Sequence, residues 1–217
     1  MRIPKVVVLP LAALALAAQS GFEYDAVQRG VFAGLMGDKA ALQRAMEACE
    51  KALADNPNHA QALVWHGIGT VGASGGDFAI AQKGIAEMDR AAMLAPEDLS
   101  TRIPRGATLM AFGRQMPDSP LAQAMLEKAR SDFQLAFDKQ RDHLDQLGTH
   151  PLGELLQGLG DVYSRQGKPE EAQKFYELIQ SKLKNTEYSR RAAQWKETRQ
   201  PLPVAQTACI GCHIGTK

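Results

Sequence analysis

The chain has 217 residues, with 25 Lys or Arg against 24 Asp or Glu and a formal charge of +1. That balance offers no basic surplus for a nucleic-acid partner, and the length suits a single domain with a real core. Aromatic residues are only 6% while alanine, leucine and glycine are abundant, a mixture that favours close-packed helices over sheets.

Residues 1–20 read as a signal peptide. Met1-Arg2-Ile3-Pro4-Lys5 supplies the positive start, and the apolar run from Val6 to Ala18 is too short to span a bilayer as a helix. Ala15-Leu16-Ala17 and Ala18-Gln19-Ser20 place small residues where a signal peptidase reads them, so the mature chain is predicted to start at Ala18 or Gly21. An uncleaved anchor is the alternative reading, and the lack of a cysteine near this region argues against a lipoprotein. No later apolar run reaches spanning length, so the mature chain is predicted to carry no membrane span, and the cleaved signal peptide predicts export to the periplasm.

From Phe22 to Arg199 the apolar period is helical. It predicts helices near 23–36, 38–55, 59–73, 78–94, 98–114, 120–146, 152–166, 169–183 and 186–198. Pro57, Pro96 and Pro117 follow helix ends, and Ser119-Pro120 is a cap with proline at the first helical position. Gly148 and Gly167 stand where left-handed C-caps are wanted. Such short connections make neighbouring helices antiparallel.

One unit stands out: Leu156, Leu159-Gly160, Tyr163, Ala172 and Tyr176, with Gly167 at the turn. It resembles the tetratricopeptide repeat at these six positions, with Leu156 in the tryptophan slot and Tyr176 in the phenylalanine slot, although Lys184 replaces the closing proline. Ala45, Cys49, Ala52 and Pro57 follow the second-helix pattern, and Leu63, Gly67 and Thr70 open the next pair, with His66 where leucine is usual. The resemblance implies an all-α fold, an α-solenoid of degenerate helical hairpins over residues 21–199 whose concave surface binds a scaffold or redox protein partner. A compact bundle without a groove is the plainer alternative.

Pro201 and Pro203 interrupt helix after residue 199, and residues 200–217 read as a linker and C-terminal tail. The tail holds Cys209-Ile210-Gly211-Cys212-His213, the C-x-x-C-H spacing of covalent haem attachment. Here the chain resembles the c-type cytochromes. The resemblance implies one haem c bound through Cys209 and Cys212, with His213 as an axial ligand of the iron. A zinc site lacks a second ligand pair, and a thioredoxin-like dithiol lacks its preceding strand. Candidates for the sixth ligand are Met110, Met116, His66, His143 and His150.

Three functional readings stay open. The first is an exported haem protein for electron transfer, or a haem-bearing docking module. The second is a non-haem periplasmic adaptor with a Cys209–Cys212 disulfide. The third is a five-coordinate haem sensor or peroxidase of the cytochrome c-prime type. No nucleophile elbow or H-E-x-x-H pattern argues for an enzyme. Gly67-Ile68-Gly69-Thr70-Val71-Gly72 matches a dinucleotide fingerprint in letters, but it lies in a predicted helix with no strand before it. Gly30 and Gly34 read as close-packing positions between helices, and Cys49 as a buried free thiol.

Overall fold

The computed structural model describes residues 21–116 and 119–203. These form an all-α fold, and no strand occurs among them. The helices are α1 (Tyr24–Leu35), α2 (Lys39–Asp55), α3 (Ala60–Ala73), α4 (Phe78–Leu94), α5 (Leu99–Gln115), α6 (Pro120–Gln140), α7 (Thr149–Arg165), α8 (Pro169–Lys182) and α9 (Glu187–Thr198).

Local chemistry sets most of the boundaries. Asp38, Asp77 and Asp98 each accept a hydrogen bond from a first-turn amide of the helix that follows, and His59 does the same through Nδ1. Ser119 accepts from the amides of Leu121 and Ala122, with Pro120 opening α6 as predicted. Thr186 and Ser189 close a reciprocal capping box on α9. Gly167 takes φ +67° after α7, the left-handed turn its position predicts.

Two expectations are corrected. Gly148 is not a left-handed C-cap: it has φ −61° and ψ 160° and stands just before α7, which starts three residues earlier than predicted because Pro151 fits within the first turn. The long helix predicted over 120–146 ends at Gln140, and Arg141–Gln146 tighten into a 3-10 turn that buries Leu144.

Consecutive helices pair as hairpins, α1 with α2, α3 with α4, α5 with α6 and α7 with α8, and α9 lies against α8. Glycines let the pairs approach. A Cβ at Gly34 would come within 2.3 Å of the Leu42 side chain, and one at Gly67 within 2.5 Å of the Gly84 carbonyl oxygen. The odd-numbered helices also touch in sequence, α1 to α3, α3 to α5 and α5 to α7, forming one continuous layer. Trp65 anchors the N-terminal part of the core and Trp195 the C-terminal part, both fully buried. Trp195 donates to Ser164 Oγ at 2.8 Å and stacks on Tyr176.

Candidate functional site

The layer of odd-numbered helices leaves an open concavity of about 420 Å³, walled by α1, α3, α5 and the start of α7. Its surface is mainly apolar and aromatic. Trp65 meets Phe32 edge-on at 5.4 Å and Tyr24 edge-on at 5.9 Å, so ring faces and edges from two helices form one wall. Trp65 Nε1 is buried without a hydrogen-bond acceptor.

Pro104 shapes the facing wall. It lies inside α5 and has no amide to give to the carbonyl of Ser100, one turn earlier. That carbonyl accepts instead from the Tyr24 hydroxyl at 3.1 Å. The proline therefore costs α5 one internal bond and ties α5 to α1 across the groove.

Two polar assemblies border the apolar surface. In the first, Arg114 donates from Nε to Asp161 Oδ2 at 2.7 Å and from its guanidinium to Met110 Sδ at 3.2 Å. Asp161 is fully buried and also accepts from Arg165 at 2.9 Å, and Arg165 donates to the Leu202 carbonyl at 2.6 Å. The chain after α9 is thus held beside the C-terminal end of α7, and Leu202 is only 2% exposed. The sequence reading of residues 200–217 as linker did not anticipate this anchor.

In the second assembly, His150 Nδ1 lies 2.8 Å from Tyr188 Oη, and Tyr188 donates to Glu154 Oε1 at 2.7 Å. Tyr188 has one hydroxyl proton and spends it on the carboxylate, so the contact to His150 requires Nδ1–H as donor. His150 and Glu154 both line the groove.

The proposed attachment residues Cys209, Cys212 and His213 lie outside the described residues, as does the predicted signal peptide. Among the candidate sixth ligands, Met110 and His150 line the groove and the other three do not. Met116 packs half-buried on the core. His66 is held at 2.7 Å by Glu87, with Glu50 at 3.8 Å, and the bond to Glu87 outweighs burial to raise its pKa. His143 sits exposed in the 3-10 turn beside Gln146.

Cys49 is a fully buried free thiol, and burial chiefly, with Glu50 and Glu87 adding, pushes its pKa up to about 12. Gly67, Gly69 and Gly72 all lie in α3 and face side chains or backbone of neighbouring helices, so the fingerprint letters are packing positions. Sequence reasoning missed the Arg114–Asp161–Arg165 chain. The available signal was an aspartate amid the apolar run Leu155 to Val162, where a charge is tolerated only when paired.

Among the described residues no cluster of three or more His, Cys, Asp or Glu is placed to hold a metal ion, and no helix is long and apolar enough to cross a membrane. No family model, no curated protein and no solved structure matches this chain.

Proposed function

We propose that this is an exported c-type haem protein, built on an α-solenoid of degenerate tetratricopeptide-like hairpins and serving electron transfer or haem-bearing docking. The observation that carries the reading is Cys209-Ile210-Gly211-Cys212-His213, preceded at the far end of the chain by a segment with the order of a signal peptide. Each cysteine would add across one vinyl group: the S–H bond breaks, an S–C bond forms and the proton goes to the neighbouring vinyl carbon, with no oxidant consumed. His213 would hold the iron from one side. Bound in this way the haem supplies a reversible one-electron couple, with a potential set by the second axial ligand and by how well water is excluded.

The groove supports the reading because its walls suit a flat apolar macrocycle. Its volume of about 420 Å³ falls within the roughly 300–1,000 Å³ usual for cofactor sites. The repeat-like hairpins support the docking half of the proposal, since stacked hairpins present a concave surface to partners.

The test is the absorption spectrum and intact mass of the protein made in a periplasm competent for haem attachment. A Soret band, with the mass of one haem that survives acid–acetone extraction, is the expected result. Cys212→Ala should abolish the two-thioether product. A colourless protein lighter by two hydrogens overturns the haem reading in favour of a disulfide-tailed adaptor.

A further inference from the structure

We infer that the stopped end of the groove is a binding site for a neutral, apolar alcohol, whose hydroxyl takes the place of the Tyr24 hydroxyl between Trp65 and the Ser100 carbonyl. The inference goes beyond the haem reading and does not need it.

The shape of the groove sets the body of the ligand. α3 is the floor, with α1 and α5 both packed against it. Tyr24 is the first residue of α1 and Ser100 the second of α5, so their hydrogen bond bridges the two walls at the N-terminal ends of these helices. Trp65 of α3 lies at the same end, edge-on to the Tyr24 ring. Leu35 marks the other end, where a Cβ on Gly72 of α3 would come within 2.2 Å of it. Between Tyr24 and Leu35 the helix α1 rises about 16 Å at 1.5 Å per residue. Ile68, Val71, Ile103 and Ala107 line this length. At roughly 30 Å³ for each water-sized group, the concavity of about 420 Å³ holds about 14 heavy atoms. An elongated apolar body therefore fits along α3, and its removal from water drives entry.

The stopped end sets the head. Trp65 is fully buried and its Nε1–H has no acceptor, a costly state for a donor. Burial chiefly, with Asp98 and Asp25 adding, raises the Tyr24 pKa; the Trp65 N–H opposes that rise without forming a hydrogen bond to the hydroxyl. The Tyr24 proton goes instead to the Ser100 carbonyl, which Pro104 leaves without its helical partner. One ligand hydroxyl can serve both groups, accepting from Trp65 Nε1–H and donating to the Ser100 carbonyl. Tyr24 covers the donor while it is tied down, so its side chain turns out as the head enters. The exchange replaces the Tyr24–Ser100 bond with one of the same kind and adds the bond that Trp65 lacks. An ether accepts but cannot donate. A carboxylate is repelled by Asp25 and Asp98, whose charges already act on this spot. Ser100 is held in advance: Asp98 accepts from its amide at 2.9 Å and from its Oγ at 2.7 Å, and Gln61 donates to the same Oγ at 2.7 Å. The carbonyl is thus placed before the ligand arrives.

The experiment is isothermal titration calorimetry of the full-length protein at neutral pH with 1-decanol, decyl methyl ether and decanoate, which share one alkyl chain. Decanol should bind at one site per chain and at least 10-fold more tightly than either of the others. Tyr24→Phe keeps the ring but unties it, so decanol should bind about 10-fold more tightly, the size of one hydrogen bond to a buried group. Pro104→Ala returns an amide to the Ser100 carbonyl, so decanol should lose its advantage over the ether. Trp65→Phe should weaken decanol and the ether alike, by about 10-fold. Should Trp65→Phe fail to fold, Tyr24→Phe and Pro104→Ala decide alone. Equal affinity for the three probes, tighter binding of decanoate, decanol binding unmoved by Tyr24→Phe and Pro104→Ala, or no saturable binding overturns the inference. None of these outcomes bears on covalent haem, which is read from the spectrum and mass.

Discussion

Gly67 and Gly158 show how one residue type can carry opposite consequences. A methyl at Gly67 would lie 2.5 Å from the Gly84 carbonyl oxygen and 3.2 Å from the Met88 amide nitrogen, and backbone cannot move aside cheaply. At Gly158 the nearest atoms are the Phe133 ring at 3.3 Å and the mobile end of Met110 at 3.5 Å. Alanine gains about 1 kcal/mol over glycine inside a helix, and overpacking costs about 1–3 kcal/mol. Gly67→Ala should therefore be clearly destabilising and Gly158→Ala near neutral, which urea denaturation of the two variants will rank. The glycine letters at 67, 69 and 72 carried no information about a ligand. Whether such a residue binds phosphate or admits a neighbouring helix depends on what faces it, and only the packed structure supplies that.

Between elements, the buried aspartates matter most. Asp132 on α6 is fully buried and is clamped by Arg105, at 2.7 Å and 2.8 Å, and by Arg102, both from α5. Asp132→Ala takes the shared carboxylate from both guanidiniums, leaving Arg105 with Asp89 at 3.2 Å and Arg102 with the Pro96 carbonyl and Ser131. The loss should be about 3–5 kcal/mol, the range for breaking a buried ion pair, and thermal melting will measure it. Exchanging the whole cluster for apolar residues need not cost as much, since the desolvation penalty is removed with it.

The contact between His66 of α3 and Glu87 of α4 gives a pH signature. Its pKa is raised above the usual histidine value of about 6.5. The contribution is therefore full below that value and is lost as pH rises through the folded-state pKa. The stability difference between wild type and His66→Gln should shrink as pH is raised from 6 toward alkaline values, read from paired melting curves. A gap that widens instead would contradict the pairing. None of these partners could be assigned from spacing. They lie 21 to 30 residues apart in the chain, and nothing in a helical period says which charged positions will meet.

For the whole molecule, Leu202 is the latch between the helical body and the C-terminal segment. Its side chain is buried and its carbonyl is tied through Arg165 and Asp161 to Arg114 at the groove. Leu202→Asp should release the segment without melting the body. Limited proteolysis would then cut earlier near the C-terminus while the helix melting temperature stays close to wild type. A simultaneous collapse of the melting temperature would mean that the latch belongs to the core.

Helix positions followed from the sequence alone because capping residues and the 3.6-residue apolar period are local. Ser119, read as a cap from the sequence, acts within one turn of where it stands, and the structure adds Asp38, Asp77 and Asp98 in the same role. The same locality made the Cys209–Cys212–His213 spacing readable without a fold. Gly148 defeated the reading because a glycine between helices can end one or precede the next, and the choice rests on how Pro151 fits the following turn. The groove, its proline-freed carbonyl, the tyrosine behind His150 and the burial of Leu202 were decided only by tertiary packing. Each needs groups distant in sequence to meet, and chain connectivity does not encode those meetings at any fixed spacing.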